Sequence, residues 1–202
     1  MFPNSGIPVI GITGPSGAGK STAARHLAAL GCAVIDGDKL AREITLPGSP
    51  VLEQLAARFG EDILNDGVLN RKLLAERAFS CAESRFALNL ITHPAITALA
   101  IKQAARLPST TPAIVIDAAA LPESDLIQFL DHMIVIEAPE ELRLARVMAR
   151  DGISEQAALH RVAAQRDIQY IPPAGLGYTI LKSDESEAAW SNVFGKIMEG
   201  LL

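Results

Sequence analysis

The run Gly14-Pro15-Ser16-Gly17-Ala18-Gly19-Lys20-Ser21-Thr22 gathers three glycines, a lysine and three hydroxyl side chains into nine positions. It fits the pattern Gly, four residues, Gly, Lys, Ser/Thr, which is that of a phosphate-binding loop. The glycines let the backbone curl so that its N–H groups point inward as donors to phosphate oxygens. A helix beginning near Lys20 adds the positive end of its dipole. Lys20 brings a mobile charge to β- and γ-phosphate oxygens, and the Ser21 hydroxyl is the expected Mg²⁺ ligand bridging the same phosphates. A glycine-rich turn with a chance lysine would not need the apolar run VIGIT before it and helix formers after it. The expected ligand is therefore ATP with Mg²⁺, held along Gly14, Ser16, Gly17, Ala18, Gly19, Lys20, Ser21 and Thr22.

A phosphate cradle does not by itself separate a kinase from a GTPase switch, a motor or a binding module. No Asn-Lys-x-Asp tetrapeptide occurs, which weighs against guanine. The run AIVID ends in Asp117, which reads equally as a carboxylate holding Mg²⁺ through water or as a helix cap. In VIDGDKLAR, Asp36 and Asp38 flank Gly37 at a strand tip, the edge of a doubly wound sheet where ligands bind. Phosphoryl transfer to an alcohol gains from a carboxylate that orients the hydroxyl and takes its proton. Asp38 is the candidate base. Asp36, on the substrate side, could stand behind the direct ligands of Mg²⁺ or hold the loop, and either Asp could instead only cap the helix near Lys39.

These groups need a scaffold, and β-branched runs mark it at Pro8 to Thr13, Ala33 to Asp36, Ala113 to Asp117 and Met133 to Glu137, with a fifth at Tyr178 to Leu181. Runs as apolar as VIGIT, AIVID and MIVIEA belong to strands buried on both faces of a parallel sheet. The expected fold is α/β, of the P-loop NTPase type, with a five-stranded parallel sheet flanked by helices, a helical substrate-binding insertion and a small helical lid. The insertion is the stretch of some 75 residues from Asp38 to Pro112. Helical spacing recurs there at Ser49 to Phe59, Asn70 to Phe79 and Ala82 to Leu107, with a break invited at His93-Pro94. The lobe is expected to be all helix, with Asn65 through Arg71 a turn and helix cap. The segment Met148 to Gln169 and its approach carry Arg146, Arg150, Arg161 and Arg166. They either close over phosphates or form a solvated face laced by Asp151, Glu155 and Asp167. The expected boundaries are a core of about 7–38, 112–147 and 176–202, a lobe of about 39–111 and a lid of about 148–175.

With 202 residues, 49% hydrophobic and 20% charged, the chain can bury a full core. A net charge of -5 provides no global basic field, so nucleic acid is not an expected partner. The first residues lack the regions of a signal peptide, and no apolar run reaches the roughly 20 residues that span a bilayer. No membrane association and a cytoplasmic location follow as expectations, with a monomer or weak homo-oligomer. Cys32 and Cys81, without a C-x-x-C pair, are read as structural thiols.

The stretch VIDGDKLAREITLPGSPVLEQLAARFGEDILNDGVLNRKLL, followed by HPAI, resembles the dephospho-CoA kinases of the P-loop nucleotide kinase group. The likeness runs from GITGPSGAGKST through D-x-D-x-x-A-R, PGSP, RFGEDIL, LNR, the His-Pro pair and PES to R-x-M-x-R-D. It implies ATP as donor, the ribose 3′-hydroxyl of dephospho-CoA as acceptor, and CoA and ADP as products. By position it makes Asp38 the catalytic base and puts Arg42 in the acceptor-side segment. His93 falls in the lobe that receives the CoA moiety, Glu123 keeps the acidic end of the PES region, and Arg146 matches a lid arginine contacting ATP phosphates. Without the resemblance, His93 reads as a polar helix residue near a proline. The chain departs from the family where P-L-L-F-E becomes Ala119 to Glu123. It departs again where A-D-x-V-I-D-N-x-G becomes LGYTILKSD, with Lys182 in place of Asn.

Overall fold

The computed structural model describes residues 6–163, 165, 169–183 and 187–201. In chain order the elements are β1 (Val9–Thr13), α1 (Lys20–Ala29), β2 (Ala33–Asp36), α2 (Gly37–Glu43), α3 (Pro50–Phe59), β3 (Leu64–Asn65), β4 (Val68–Leu69), α4 (Arg71–Ala78) and α5 (Ala82–Ala104). They continue with β5 (Ile114–Asp117), β6 (His132–Glu137), α6 (Glu140–Asp151), α7 (Glu155–Ala163), β7 (Gly177–Lys182) and α8 (Glu187–Leu201). The chain divides into two compact units: one runs through Asp36 and resumes at Arg106, the other is Gly37–Ala105.

The first unit is built on a five-stranded sheet of order β2-β5-β1-β6-β7, with every pairing parallel. β1 is buried at all five positions because it lies in the middle of the sheet and is covered on both faces. One face packs Ile10, Ile12, Ile134, Ile136 and Leu181 against Ala24 and Leu27 of α1 and Trp190, Phe194 and Ile197 of α8. The fifth strand, expected from Tyr178 to Leu181, runs one residue further at each end. After β6, α6 and α7 meet at a corner where Arg150 (2.8 Å) and Arg161 (2.6 Å) both pair with Asp151. Both arginines are exposed and are held at this corner by Asp151. Arg166 and Asp167 lie outside the described residues.

The second unit buries Leu52, Leu55, Phe59, Ile63, Leu69 and Leu74. Its helices begin where capping side chains stand. The Ser49 hydroxyl accepts from Leu52 N at 3.1 Å ahead of Pro50, and Asn70 Oδ1 accepts from Leu73 N at 3.1 Å. Two expectations are corrected. The lobe is not all helix: β3 and β4 form an antiparallel hairpin turned by Asp66 (φ 51°) and Gly67 (φ 78°). Asp-Gly supplies the two left-handed residues such a turn requires. Nor does the chain break at His93-Pro94, because α5 continues through Pro94 for 23 residues. Packing of α5 against α2, α3 and α4 outweighs the local preference of a residue before proline for extended geometry.

Candidate active site

The loop from Gly14 to Gly19 leaves the carboxyl end of the central strand and turns directly into α1. Its glycines are required by close approach as well as by conformation. At Gly14 (φ 140°) a Cβ would lie 2.3 Å from the Ile136 carbonyl oxygen, and at Gly17 (φ 79°) it would lie 2.5 Å from that of Arg143. The loop thus nests against the backbones of β6 and α6. Gly19 (φ 112°) is the N-cap of α1, with no side-chain cap to compete for the helix's first N–H groups.

Three side chains brace this loop. Lys20 Nζ donates to Gly14 O (2.8 Å) and Pro15 O (3.2 Å). Arg146 Nη1 donates to Gly17 O (3.2 Å), Ala18 O (3.4 Å) and Ser183 Oγ (2.8 Å), while Nη2 reaches Ser183 O (3.3 Å). Ser16 N donates to Gln165 Oε1 at 2.7 Å. Ser21 and Thr22 fall in the first turn of α1, with Ser21 exposed.

Asp36 and Asp117 end adjacent parallel strands and are register partners, so their Cα atoms lie about 4.8 Å apart at the same sheet edge. Two carboxylates and the Ser21 hydroxyl are hard oxygen donors of the type Mg²⁺ takes. No group of three or more His, Cys, Asp or Glu suited to a metal occurs among the described residues. A donor set of this size suits an ion that keeps several waters and binds chiefly through substrate phosphates.

Beside Pro15 opens a pocket of about 750 Å³, whose walls include Val135, Ile180, Arg143, Tyr170 and Lys182. Arg143 Nε and the Tyr170 hydroxyl are buried without hydrogen-bond partners among the described residues. Burial pushes the Tyr170 hydroxyl up to about 12; Arg143 pulls it down and Glu123 pushes it further up. Glu123, exposed, therefore stands within electrostatic reach of this pocket.

In the second unit, Asp38 and Arg42 lie one turn apart on α2, both exposed. His93 sits midway along α5, half-buried, next to Pro94. The sequence reading missed Gln165, the backbone of Arg143 and the Asp36–Asp117 pairing. Only the last had a signal, since AVID and IVID are two strands with the same acidic ending.

A doubly wound parallel sheet whose central strand runs through a glycine-rich, lysine-bearing loop into a helix defines the P-loop nucleotide kinase class. Solved structures agree: a Thermus thermophilus protein superposes with a TM-score of 0.76 at 30% identity, covering 97% of this chain and 98% of its own. A dephospho-CoA kinase from Campylobacter jejuni gives 0.62 at 28%, covering 96% and 98%. A shikimate kinase from Acinetobacter baumannii shares the fold at 17% identity, with a TM-score of 0.54 and coverage of 96% and 93%. The family model for dephospho-CoA kinase matches residues 8–170. The dephospho-CoA kinase of Syntrophotalea carbinolica is 43% identical over 78% of this chain and 75% of its own, and that of Geobacter sulfurreducens 42% over 80% and 83%. The chain belongs to the dephospho-CoA kinase family.

Proposed function

We propose that the chain transfers the γ-phosphoryl group of ATP to the ribose 3′-hydroxyl of dephospho-CoA, releasing CoA and ADP. This is the last step of coenzyme A synthesis, and the location proposed with it is the cytoplasm. The observation that carries the reading is the glycine-rich phosphate loop, with Lys20 Nζ on the Gly14 and Pro15 carbonyls, in a chain matching this family from residue 8 to residue 170.

The loop N–H groups and Lys20 hold the β- and γ-phosphates and offset the charge that develops in transfer. Arg146 supports this by fixing the loop and the end of β7 relative to each other. Its hydrogen-bond partners Gly17, Ala18 and Ser183 make it a brace in addition to the phosphate-contacting role implied by resemblance. Mg²⁺, when bound, neutralises phosphate charge; Ser21 is its proposed ligand, with Asp36 and Asp117 reaching it through water. Asp38 orients the 3′-hydroxyl and takes its proton as the new O–P bond forms and the bond to the β-phosphate oxygen breaks. Arg42, His93 and Glu123 are assigned to the acceptor.

The test is ADP release with ATP, Mg²⁺ and dephospho-CoA, beside AMP, CMP, UMP, gluconate and acceptor-free controls. Turnover that depends on dephospho-CoA is expected. Turnover only with another acceptor, or none at all despite tight ATP binding, overturns the reading.

A further inference from the structure

Two guanidinium groups are brought together in the second unit without a counterion. Arg71 opens α4, and its Nη2 donates to Thr45 Oγ1 at 2.8 Å. Thr45 is buried just beyond α2, and its hydroxyl donates back to Ala41 O (2.9 Å) and Arg42 O (3.2 Å). Arg71 is thereby pinned against the last turn of α2, which carries Arg42. Among the described residues neither arginine pairs with a carboxylate, Glu43 included.

The placement is unfavourable on three counts. Arg71 stands at a helix N-terminus, where positive charge is disfavoured. Although exposed, it gives up some hydration, and Arg42 is near enough to act on it; burial first and Arg42 second push its pKa down. An arrangement that breaks local electrostatic rules in this way is expected where a ligand supplies the missing charge. Two guanidinium groups carried by neighbouring turns suit phosphate oxygens, which each can grip through paired N–H donors.

We propose that Arg42 and Arg71 form the subsite for the diphosphate of dephospho-CoA. The inference rests on the acceptor assigned above. That acceptor is anionic only at its diphosphate, which leaves C5′ of the same ribose whose 3′-hydroxyl reacts. Base and anion grip must then be separated by the breadth of one ribose. Asp38 and Arg42, at i and i+4 on one face of α2, are separated by one helical turn, about 5.4 Å.

The test measures the dissociation constant of dephospho-CoA by calorimetry, and KM for both substrates, in Arg42→Gln, Arg71→Gln and Arg71→Lys. Each glutamine variant is expected to weaken dephospho-CoA about tenfold to a hundredfold, as for loss of a charged hydrogen-bonding pair. KM for ATP and the thermal midpoint should stay at wild-type values. Arg71→Lys should recover only part of the loss, since it restores charge without the fork. Adenosine, which has the 3′-hydroxyl and no diphosphate, should bind wild type and variants alike. Unchanged affinity for dephospho-CoA, an equal loss for adenosine, or a rise confined to the KM for ATP would each overturn the subsite. Should Arg71→Gln fail to fold, Arg42→Gln decides alone. Wild-type protein that ignores dephospho-CoA altogether would instead refute the acceptor assignment.

Discussion

Replacing Gly17 with alanine tests whether the phosphate loop is held in shape by the backbone behind it. Gly17 has φ 79°, and the added Cβ would sit 2.5 Å from the Arg143 carbonyl oxygen and 2.8 Å from its Cα. Both are backbone atoms of α6, so no rotamer change can relieve the clash. Restoring an ordinary contact of 3.4 Å from 2.5 Å requires the loop to retreat by roughly 0.9 Å. A misplacement of about 1 Å in groups that position a reacting centre costs on the order of a hundredfold. Gly31→Ala is the control. Gly31 has a comparable φ of 89°, but its Cβ would meet the Pro112 ring at ordinary contact distances of 3.5 and 3.8 Å, and it precedes the amino end of β2, away from the loop. Both variants bear the left-handed penalty of about 1–2 kcal/mol, a fall of roughly 2–8 °C in Tm for a chain of this size. Gly17→Ala is expected to lose about a hundredfold in kcat/KM for ATP, with Gly31→Ala near wild type. The assay is ADP release under ATP limitation, paired with thermal melts. Equal activity in the two variants would refute the claim that close packing on α6 sets the loop's geometry.

Lys20→Ala should lower kcat by at least about a thousandfold, as expected for removal of a main transition-state charge; near-normal turnover would refute its role. Asp38→Asn should slow single-turnover phosphoryl transfer by about 10²–10⁴-fold while ATP affinity, followed by calorimetry, is retained; an unaffected transfer rate removes Asp38 as base. His132 provides a pH test of stability. Its Nε2 meets Thr179 Oγ1 at 2.9 Å across β6 and β7, and burial pushes its pKa below the ordinary value. The unfolded chain therefore takes up the proton first. The neutral ring's contribution is complete above about pH 6.5 and is lost as pH falls from there through the lower folded value. Melts from pH 8 to pH 5 should show a decline that is shallower in His132→Gln; parallel profiles would exclude His132 as its source.

The strands and the phosphate loop were legible because their determinants are local. An apolar run such as VIGIT fits only a strand buried on both faces, and a Gly-Lys-Ser loop carries its own conformational demands. Helix starts at Pro50 and Arg71 were legible for the same reason, since Ser49 and Asn70 are caps. The β3–β4 hairpin carried a local signal too, Asp66-Gly67, but strands of two residues leave no periodicity around it. Pro94 misled because a local preference was weighed without the packing of α5 that overrides it. The contacts of Gln165 with Ser16 and of Arg71 with Thr45 join residues 149 and 26 positions apart. Nothing in the spacing of either pair announces them.

The braces around the phosphate loop share one logic. In a peptide unit the C=O and N–H point in opposite directions, so a cation that captures a carbonyl also aims the N–H on its far side. Arg146 captures Gly17 and Ala18, and Lys20 captures Gly14 and Pro15. The carbonyls of Gly14, Pro15, Gly17 and Ala18 are therefore turned toward positive charge; of the groups that follow them, Pro15 has no N–H and Ala18 N donates to Pro15 O at 3.1 Å, so it is the N–H of Gly19, at the start of α1, that this arrangement offers to an anion. The N–H of Ser16 is the one that a side-chain oxygen, from Gln165, already satisfies. Lys20 differs from Arg146 in one respect that bears on catalysis. Arg146 is anchored at its other end by Ser183, so it can hold the loop throughout a turnover. Lys20 reaches its two carbonyls from the first turn of α1 on a flexible stem, and an ammonium can exchange neutral carbonyl partners for phosphate oxygens at a gain, because a full negative charge attracts it more strongly than a carbonyl dipole does. The fixed cation thus preserves the cradle, and the mobile one can follow the charge as it moves.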